Sequence, residues 1–297
     1  MKTEIKEVIP VRKMADCFNE SEPFDFGIKK LEEINPGNEI VKPAHRHDFY
    51  YVLFVNEGRG SHMIDFKHYE IKPCSIFFIS PGQVHALELS SDAKGFAIFF
   101  KPSFYLMNSN PNKILDFPFF HSLSNEPALF LDCLEPTIGK TLEEIYNEFH
   151  TFELGRDNVM RALIDVLLVR LSRKYPEPPL NDFPIRLTYM IRELEGLIDR
   201  HFKEYRSLDD YADLMNISPK HLNNLCKKAL DKTVINLIHE RTIIESKRLL
   251  LFTDFTVSQI AYELGYFDKS YFMRFFNRNI GLTPETYRQS NRAIGVV

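Results

Sequence analysis

The sequence predicts an α+β protein of two domains, an N-terminal β-barrel closed by two helices and a C-terminal all-helical domain. Short apolar runs separated by turns occupy residues 25–101, at the spacing of a β-sandwich or barrel. Residues 139–174 then change to a helical period, and four prolines follow within the nine residues Pro176–Pro184. A chain of 297 residues is long enough for two domains of ordinary size.

The predicted strands begin with the continuous apolar run Phe49–Val55, which a turn at Asn56–Gly58 connects to the alternating segment Ser61–Phe66. Four further segments have the length and composition of strands: Tyr69–Lys72, Ser75–Ser80, Val84–Leu89 and Gly95–Phe100. Many short strands at such intervals predict an antiparallel barrel or sandwich.

Two helices are expected in residues 139–174. The first carries the apolar stripe Leu142, Ile145, Tyr146 and Phe149, and the second carries Val159, Leu163, Val166, Leu167 and Leu171. The second helix is also apolar at Met160, Ile164 and Leu168, which is more than one core requires. We therefore predict that residues 139–174 are a dimerisation segment and that the protein is a homodimer.

The proline cluster sets the predicted domain boundaries, because proline stops helices and favours an extended spacer. We divide the chain into an N-terminal barrel at 1–138, the dimerisation segment at 139–174, a proline-rich linker at 175–185 and a helical domain at 186–297. The net charge is −7 over residues 1–185 and +3 over residues 186–297. The basic surplus of the second part hints at an anionic partner.

The composition excludes several classes of protein. With 44% hydrophobic and 26% charged residues the chain is globular, not disordered or collagenous. Its four cysteines have no spacing typical of a zinc site or a disulfide framework, so we expect free thiols in a reducing cytosol. No apolar run reaches the roughly 18 residues of a membrane span, and we expect a cytoplasmic protein without a membrane partner.

The C-terminal domain contains an internal repeat. The helical pattern Leu208, Tyr211, Ala212 and Met215 returns 49 residues later as Val257, Ile260, Ala261 and Leu264, and each copy has a capping signal at its start. A second helix follows each copy, with Leu222, Leu225, Cys226 and Leu230 matching Phe272, Phe275, Phe276 and Ile280. The repeat predicts two helix-turn-helix units joined by a helix over Val234–Leu250.

The outward faces of the two second helices contain no carboxylate. The first presents Lys220, His221, Asn223, Asn224, Lys227 and Lys228, and the second presents Lys269, Ser270, Met273, Arg274, Asn277 and Arg278. Asparagine pairs with adenine, arginine or lysine reaches guanine, and methionine can lie against a thymine methyl group. These faces favour DNA binding over the alternative of an all-helical scaffold.

The segments SPKHLNNLCKKAL and FDKSYFMRFFNRNIGLTPETYR resemble the double helix-turn-helix domain of AraC/XylS-type transcription regulators, over about residues 190–292. The resemblance implies two recognition helices in successive major-groove segments of double-stranded DNA, and RNA polymerase as a further candidate partner. With the charge pattern, it assigns DNA contacts to Lys220, Asn223, Asn224, Lys227, Lys269, Ser270, Met273, Arg274 and Arg278. The chain departs from the family pattern at Asp231, Ser246 and Met273, and the usual residue at the first position is a glycine.

Two histidine motifs stand out in the N-terminal domain. His45-Arg46-His47 and Pro81-Gly82-Gln83-Val84-His85 resemble the two motifs of cupins, in which histidines and a glutamate converge on a metal. Here Tyr51 or Val52 stands in the place of the glutamate. We expect no metal and no cofactor, and assign His45, His47, Tyr51 and His85 to an effector pocket, although three neutral imidazoles could hold zinc. Asp48 and His62 are further candidates, and strand alternation does not decide which face His62 occupies.

The leading hypothesis is a DNA-binding transcription regulator, not an enzyme, that a small-molecule effector controls through a cupin-like barrel. A second hypothesis is a metal-dependent cupin enzyme with an appended helical interaction domain, which the missing glutamate argues against. A third is a regulator whose barrel binds nothing and only dimerises.

Overall fold

The computed structural model describes residues 9–14, 16, 25–34, 36–107, 113–120, 125–132, 135–176 and 185–293. The chain forms two compact units, one spanning Val11–Pro178 and the other including Pro179–Val297. Of the predicted proline-rich linker at 175–185, residues 177–184 lie outside the described part, as do Cys17 and Cys133. Cys74 and Cys226 are buried free thiols.

The N-terminal unit is rich in short strands, which are β1 (Val11–Arg12), β2 (Phe26–Lys30), β3 (Ile40–His47), β4 (Tyr50–Glu57), β5 (Gly60–Ile64), β6 (Lys67–Ile71), β7 (Ser75–Ile79), β8 (Val84–Leu89), β9 (Lys94–Phe100) and β10 (Ala128–Phe130). Its helices are α1 (Leu31–Ile34), α2 (Pro102–Tyr105), α3 (Pro136–Phe149) and α4 (Arg156–Ser172), and two 3-10 turns lie at Lys113–Asp116 and Pro118–Phe120.

The strands pair into two five-stranded sheets, in the orders β1-β3-β8-β5-β6 and β10-β7-β4-β9-β2. The pairs are antiparallel except β1 with β3, which are parallel. The sheet-rich N-terminal unit confirms the predicted fold class. Among the described residues the hydrogen bonds form two facing sheets and not one closed ring.

The strand β9 shows why its sequence is apolar without alternation. Ala97 and Phe99 belong to the core between the sheets, whereas Phe96, Ile98 and Phe100 belong to a second core on the other face of the same sheet. The helices α3 and α4 cover that second face and complete its core. A strand buried on both faces is apolar throughout.

The structure corrects one interpretation of α4. Met160, Ile164 and Leu168, which we expected to face a partner subunit, are each only 1% exposed and belong to the core of their own unit. The exposed apolar positions of this helix are Val159 and Val166. The reason is that α4 packs against α3 and shares the core on that face of the sheet, so its buried stripe is wider than that of a helix with one neighbour.

The C-terminal unit is all helical, and its helices are α5 (Ile185–His201), α6 (Leu208–Leu214), α7 (Pro219–Leu230), α8 (Val234–Phe252), α9 (Val257–Glu263), α10 (Lys269–Ile280) and α11 (Pro284–Ala293). The predicted repeat is confirmed: α6 with α7 and α9 with α10 are the two helix-turn-helix units, and α8 connects them. No helix in the described part of the chain is long and apolar enough to cross a membrane.

Capping fixes where the helices of the repeat begin. Ser207 with Asp210 and Thr256 with Gln259 form complete capping boxes at the starts of α6 and α9. The Ser218 hydroxyl accepts a hydrogen bond from the His221 backbone N–H at the start of α7, and the Asp268 carboxylate accepts one from Ser270 at the start of α10. The caps at the starts of α6 and α9 confirm the capping signals predicted from the sequence.

Candidate functional site

The helix α7 presents a polar, basic face. Leu222, Leu225 and Cys226 are buried, so this stripe attaches the helix to the unit. The opposite face exposes Lys220, His221, Asn224, Lys227 and Lys228. No residue of α7 is a carboxylate, so nothing on this helix opposes the approach of a polyanion.

The helix α10 repeats this arrangement in the second unit. Phe272 and Phe276 are fully buried, and Met273 is half-buried. The side chains exposed on the other side include Lys269, Ser270, Arg274, Asn277 and Arg278. All the residues assigned to DNA contacts from the sequence are therefore exposed on α7 or α10, except Met273 and Asn223.

The side chain of Asn223 has a structural contact. It is half-buried, and its Oδ1 accepts a hydrogen bond of 3.3 Å from the backbone N–H of Val234, the first residue of α8. The first N–H groups of a helix have no partner within the helix, so this bond satisfies one of them. Asn223 joins α7 to α8, whereas its neighbour Asn224 is exposed.

A groove of about 740 Å³ lies between the start of α8 and α10. Arg274 and Arg278 line it. The other lining residues were not predicted to contact DNA, and they are Ile235, Asn236, His239, Tyr271, Phe275 and Asn279. Burial and the nearby Arg278 charge lower the pKa of His239. No local pattern signals this groove, because it depends on the packing of two helices that are distant in sequence.

The second helix-turn-helix unit is held against the loop after α5. The Arg206 guanidinium lies 3.7 Å from the centre of the Tyr266 ring and donates a 2.6 Å hydrogen bond to the Leu264 carbonyl. Gly265 lies between them at φ +76°, and a Cβ there would come within 2.4 Å of the Lys203 carbonyl oxygen. These contacts fix the position of the turn that precedes α10.

The N-terminal unit contains a pocket of about 110 Å³, and the four residues assigned to an effector pocket, His45, His47, Tyr51 and His85, all line it. All four side chains are at most 5% exposed. A register shift between Lys42 and His45 interrupts the pairing of β3 with β8. Because side chains alternate along a strand, this shift places His45 and His47 on the same inner face as Ile40 and Lys42.

Hydrogen bonds connect the imidazoles. The Nε2 atoms of His85 and His47 are 2.8 Å apart, and His85 Nδ1 lies 3.0 Å from Nε2 of His62. His45 Nδ1 is 2.7 Å from the Pro43 carbonyl oxygen and donates to it. His62 is fully buried and belongs to this histidine cluster, which settles the face that the sequence left open. Asp48 is exposed and is not among the residues that line the pocket.

Burial keeps the histidine cluster neutral. Loss of solvent is the main cause that lowers the pKa of His45 to about 4 and those of His47 and His62 to about 3, and it holds the pKa of His85 well below its ordinary value. The charge of Arg12 contributes in the same direction at His45, His47 and His85. At neutral pH these rings are uncharged donors and acceptors.

The same geometry could hold a metal ion. His45, His47 and His85 each offer one ring nitrogen, and the three nitrogens lie within 4.8 Å of one another. Neutral imidazoles are the form that binds transition metals. Tyr51 stands at one of the two positions where the cupin pattern has a glutamate, so no carboxylate is supplied there. Its ring is stacked on that of Phe99, with the ring centroids 5.0 Å apart.

Both parts of the chain match known protein families. Residues 32–163 match the AraC-like ligand binding domain, and residues 211–290 match a helix-turn-helix domain. The chain belongs to the AraC family. It is a DNA-binding transcription regulator with a ligand-binding N-terminal domain, which is the leading hypothesis from the sequence.

Two similar proteins over most of this chain are named as transcriptional activators. The transcriptional activator RhaS of Enterobacter sp. (strain 638) is 26% identical over 258 residues, covering 84% of this chain and 89% of RhaS. RhaR of the same organism is 23% identical over 256 residues, covering 85% of this chain and 89% of RhaR. ToxT from Vibrio cholerae is similar at a TM-score of 0.40 and 16% identity, over 89% of this chain and 97% of ToxT. The two activators, RhaS and RhaR, favour a regulator over a cupin enzyme.

Proposed function

We propose that this AraC-family protein reads a specific DNA sequence with α7 and α10, under the control of a small-molecule effector in the histidine-lined pocket. The observation that carries the proposal is the pair of matched exposed faces, each basic and free of carboxylates. Two such helices can enter successive major-groove segments about 34 Å apart on one side of the duplex.

The exposed residues divide by their chemistry. Asn224 and Arg274 can make paired hydrogen bonds to adenine and guanine, and Ser270 and Met273 can contact neighbouring base edges. Flexible cations position the protein on phosphates and carry no sequence information. We assign this role to Lys220, Lys227, Lys269 and Arg278, and we assign Asn223 to the attachment of α8.

The experiment selects preferred sequences from random duplexes with the full chain at moderate salt, and then compares Asn224→Ala and Arg274→Ala with the unmodified protein. We expect each substitution to weaken the selected site by about 1 to 3 kcal/mol and to relax the preference at one or two base pairs. A uniform loss on every sequence would make these residues phosphate contacts. A selection that yields no preferred sequence would contradict the proposal.

The effector half of the proposal is supported by the pocket. His45, His47, Tyr51 and His85 line a concave space together with apolar side chains such as Leu87 and Phe99, and polar groups inside such a space can fix the orientation of a small molecule. The neutral rings can orient a ligand by hydrogen bonds. We assign the pocket to binding and not to catalysis, and we propose no cofactor.

We further propose that the regulator acts as a homodimer in the cytoplasm and makes contact with RNA polymerase. The exposed apolar side chains Phe152, Leu154, Val159 and Val166 lie on α4 and the segment before it, and they support an interface between two copies. The polymerase contact follows only from the regulatory role, and no particular surface is assigned to it.

A further inference from the structure

The pocket of the N-terminal unit carries an excess of positive charge. Arg12, Lys29 and Lys42 line it, against the single carboxylate of Asp16. The histidines of the pocket cannot offset this charge, because an imidazole is either neutral or cationic. Asp16 already accepts a 2.8 Å hydrogen bond from the Lys13 backbone N–H.

Two of these cations occupy strand positions that face the core. Lys42 pairs with the buried Leu87 and shares the inner face of β3 with Ile40. Lys29 pairs with Ala97, which is fully buried in the core between the sheets. Both lysines are half-buried, so their side chains are partly withdrawn from solvent where they line the pocket.

Arg12 reaches the same space from a third strand. It lies on β1 opposite His47 of β3, and its charge acts on His45, His47 and His85. Within the described residues, neither Arg12 nor Lys42 forms a salt bridge. The pocket therefore contains two cations whose charges no carboxylate of the described chain neutralises by direct contact.

We infer that the effector is an organic anion whose carboxylate or phosphate group binds Arg12 and Lys42, while the histidine cluster and Tyr51 hold its uncharged part. Guanidinium and ammonium groups are the usual partners of carboxylate and phosphate oxygens. The same charges disfavour a bare metal cation beside the histidine cluster, because like charges repel. The inference rests on the proposed effector role of this pocket.

The test measures the melting temperature of the full chain with matched sets of compounds: glucose, gluconate and glucose 6-phosphate; benzyl alcohol and benzoate; acetate and inorganic phosphate; and Zn²⁺ alone. A ligand that binds only the folded state raises the melting temperature. We expect the anionic compounds to raise the melting temperature and their neutral counterparts to leave it unchanged. Comparison of the carboxylates with the phosphates then shows which anionic group the pocket binds.

Variants then connect the effect to the two cations. Arg12→Gln and Lys42→Met should each weaken the stabilising anion at least tenfold, whereas Lys140→Met should not, because Lys140 is a 79% exposed lysine on α3. Lys42→Met should also raise the melting temperature of the ligand-free protein, because it removes one of the like charges that line the pocket. A cooperative thermal unfolding transition of each ligand-free variant would show that it is folded.

Each alternative outcome overturns the inference in a recognisable way. If the neutral compounds raise the melting temperature equally, the pocket still binds an effector, but the inference that this effector is an anion is wrong. If Zn²⁺ raises the melting temperature and His45→Gln abolishes that rise, the pocket binds a metal ion and not an organic anion. If no compound stabilises the protein, the effector role of the pocket fails as well, while selection of a DNA sequence by the full chain would still support the DNA-binding half of the proposed function.

Discussion

Two neighbouring asparagines on α7 show how much one residue step matters. Asn224 is exposed, while Asn223 is half-buried and caps the first residue of α8. We expect Asn223→Ala to lower the free energy of unfolding by about 1 kcal/mol, because it leaves the Val234 N–H without its partner. Urea unfolding of the full chain measures this.

Asn224→Ala is the matched control for that experiment, since the same side chain is removed one position along the helix. It should leave stability within about 0.5 kcal/mol of the unmodified protein and change only DNA preference. If Asn223→Ala relaxed base preference and left stability unchanged, the capping role of Asn223 would be wrong.

The ends of α7 and α10 offer a second comparison between single residues. Asp231 ends α7 in the left-handed conformation at φ +54°, and Gly281 ends α10 at φ +79°. Glycine adopts this conformation without the steric penalty of a Cβ, so Asp231→Gly should raise the free energy of unfolding by about 0.5 to 1 kcal/mol. Urea unfolding of the variant provides the measurement.

The reverse change, Gly281→Asp, should lower stability by a similar amount. A Cβ at Gly281 would meet nothing within 4 Å, so only the backbone conformation opposes it. A loss of stability with Asp231→Gly would show that the aspartate makes a compensating interaction. The sequence identified Asp231 as a departure from the family pattern, and the backbone conformation explains why glycine suits that position.

At the scale of elements, α4 has one face in the core and a second that is exposed and apolar. Val159 and Val166, both more than 40% exposed, lie two turns apart on that second face. We expect Val166→Glu to weaken the proposed homodimer at least tenfold, because a charge would have to be buried in the interface. Sedimentation velocity over a range of protein concentrations measures the effect.

Val41→Glu serves as the control, because Val41 is 59% exposed on β3, outside the proposed interface. It should leave the association unchanged. If Val166→Glu associates as the unmodified protein does, then α4 is not the interface. The periodicity predicted α4 correctly but could not tell which apolar side chains were covered, since that depends on the packing of α3 and the sheet.

The strand β3 is the element on which the pocket depends. Strict alternation from Ile40 would place Ala44 and Arg46 inside, whereas the register shift after Lys42 places His45 and His47 there. The motif predicted that these histidines share a site. The shift that accomplishes it is a property of the pairing with β8 and could not be predicted from β3 alone.

For the whole molecule, the buried histidine cluster makes stability depend on pH. The folded pKa values of His45, at about 4, and of His47 and His62, at about 3, lie below the ordinary value of 6.5. As the pH falls below 6.5 the unfolded chain therefore binds protons that the folded chain does not. Stability is unaffected above about pH 7 and falls towards pH 5, by up to about 1.4 kcal/mol per pH unit for each histidine.

Urea unfolding at pH 7, 6 and 5 tests this, in a range where most carboxylates stay ionised. His45→Gln should make the decline shallower, and His68→Gln, at an exposed position of β6, should not. Equal stability at pH 7 and pH 5 would mean that the cluster is solvated or already charged in the folded protein.

The sequence by itself determined the fold class, the repeated helix-turn-helix units, their caps and the polar faces of α7 and α10, because these follow from hydrophobic period and hydrogen bonds within a few residues. Only the tertiary structure decided that His62 joins His85 across 23 residues, that Asn223 caps α8, and that Arg12 and Lys42 share a pocket with neutral histidines. Such contacts join segments that are distant along the chain, and their pairing and burial are fixed by how whole elements pack.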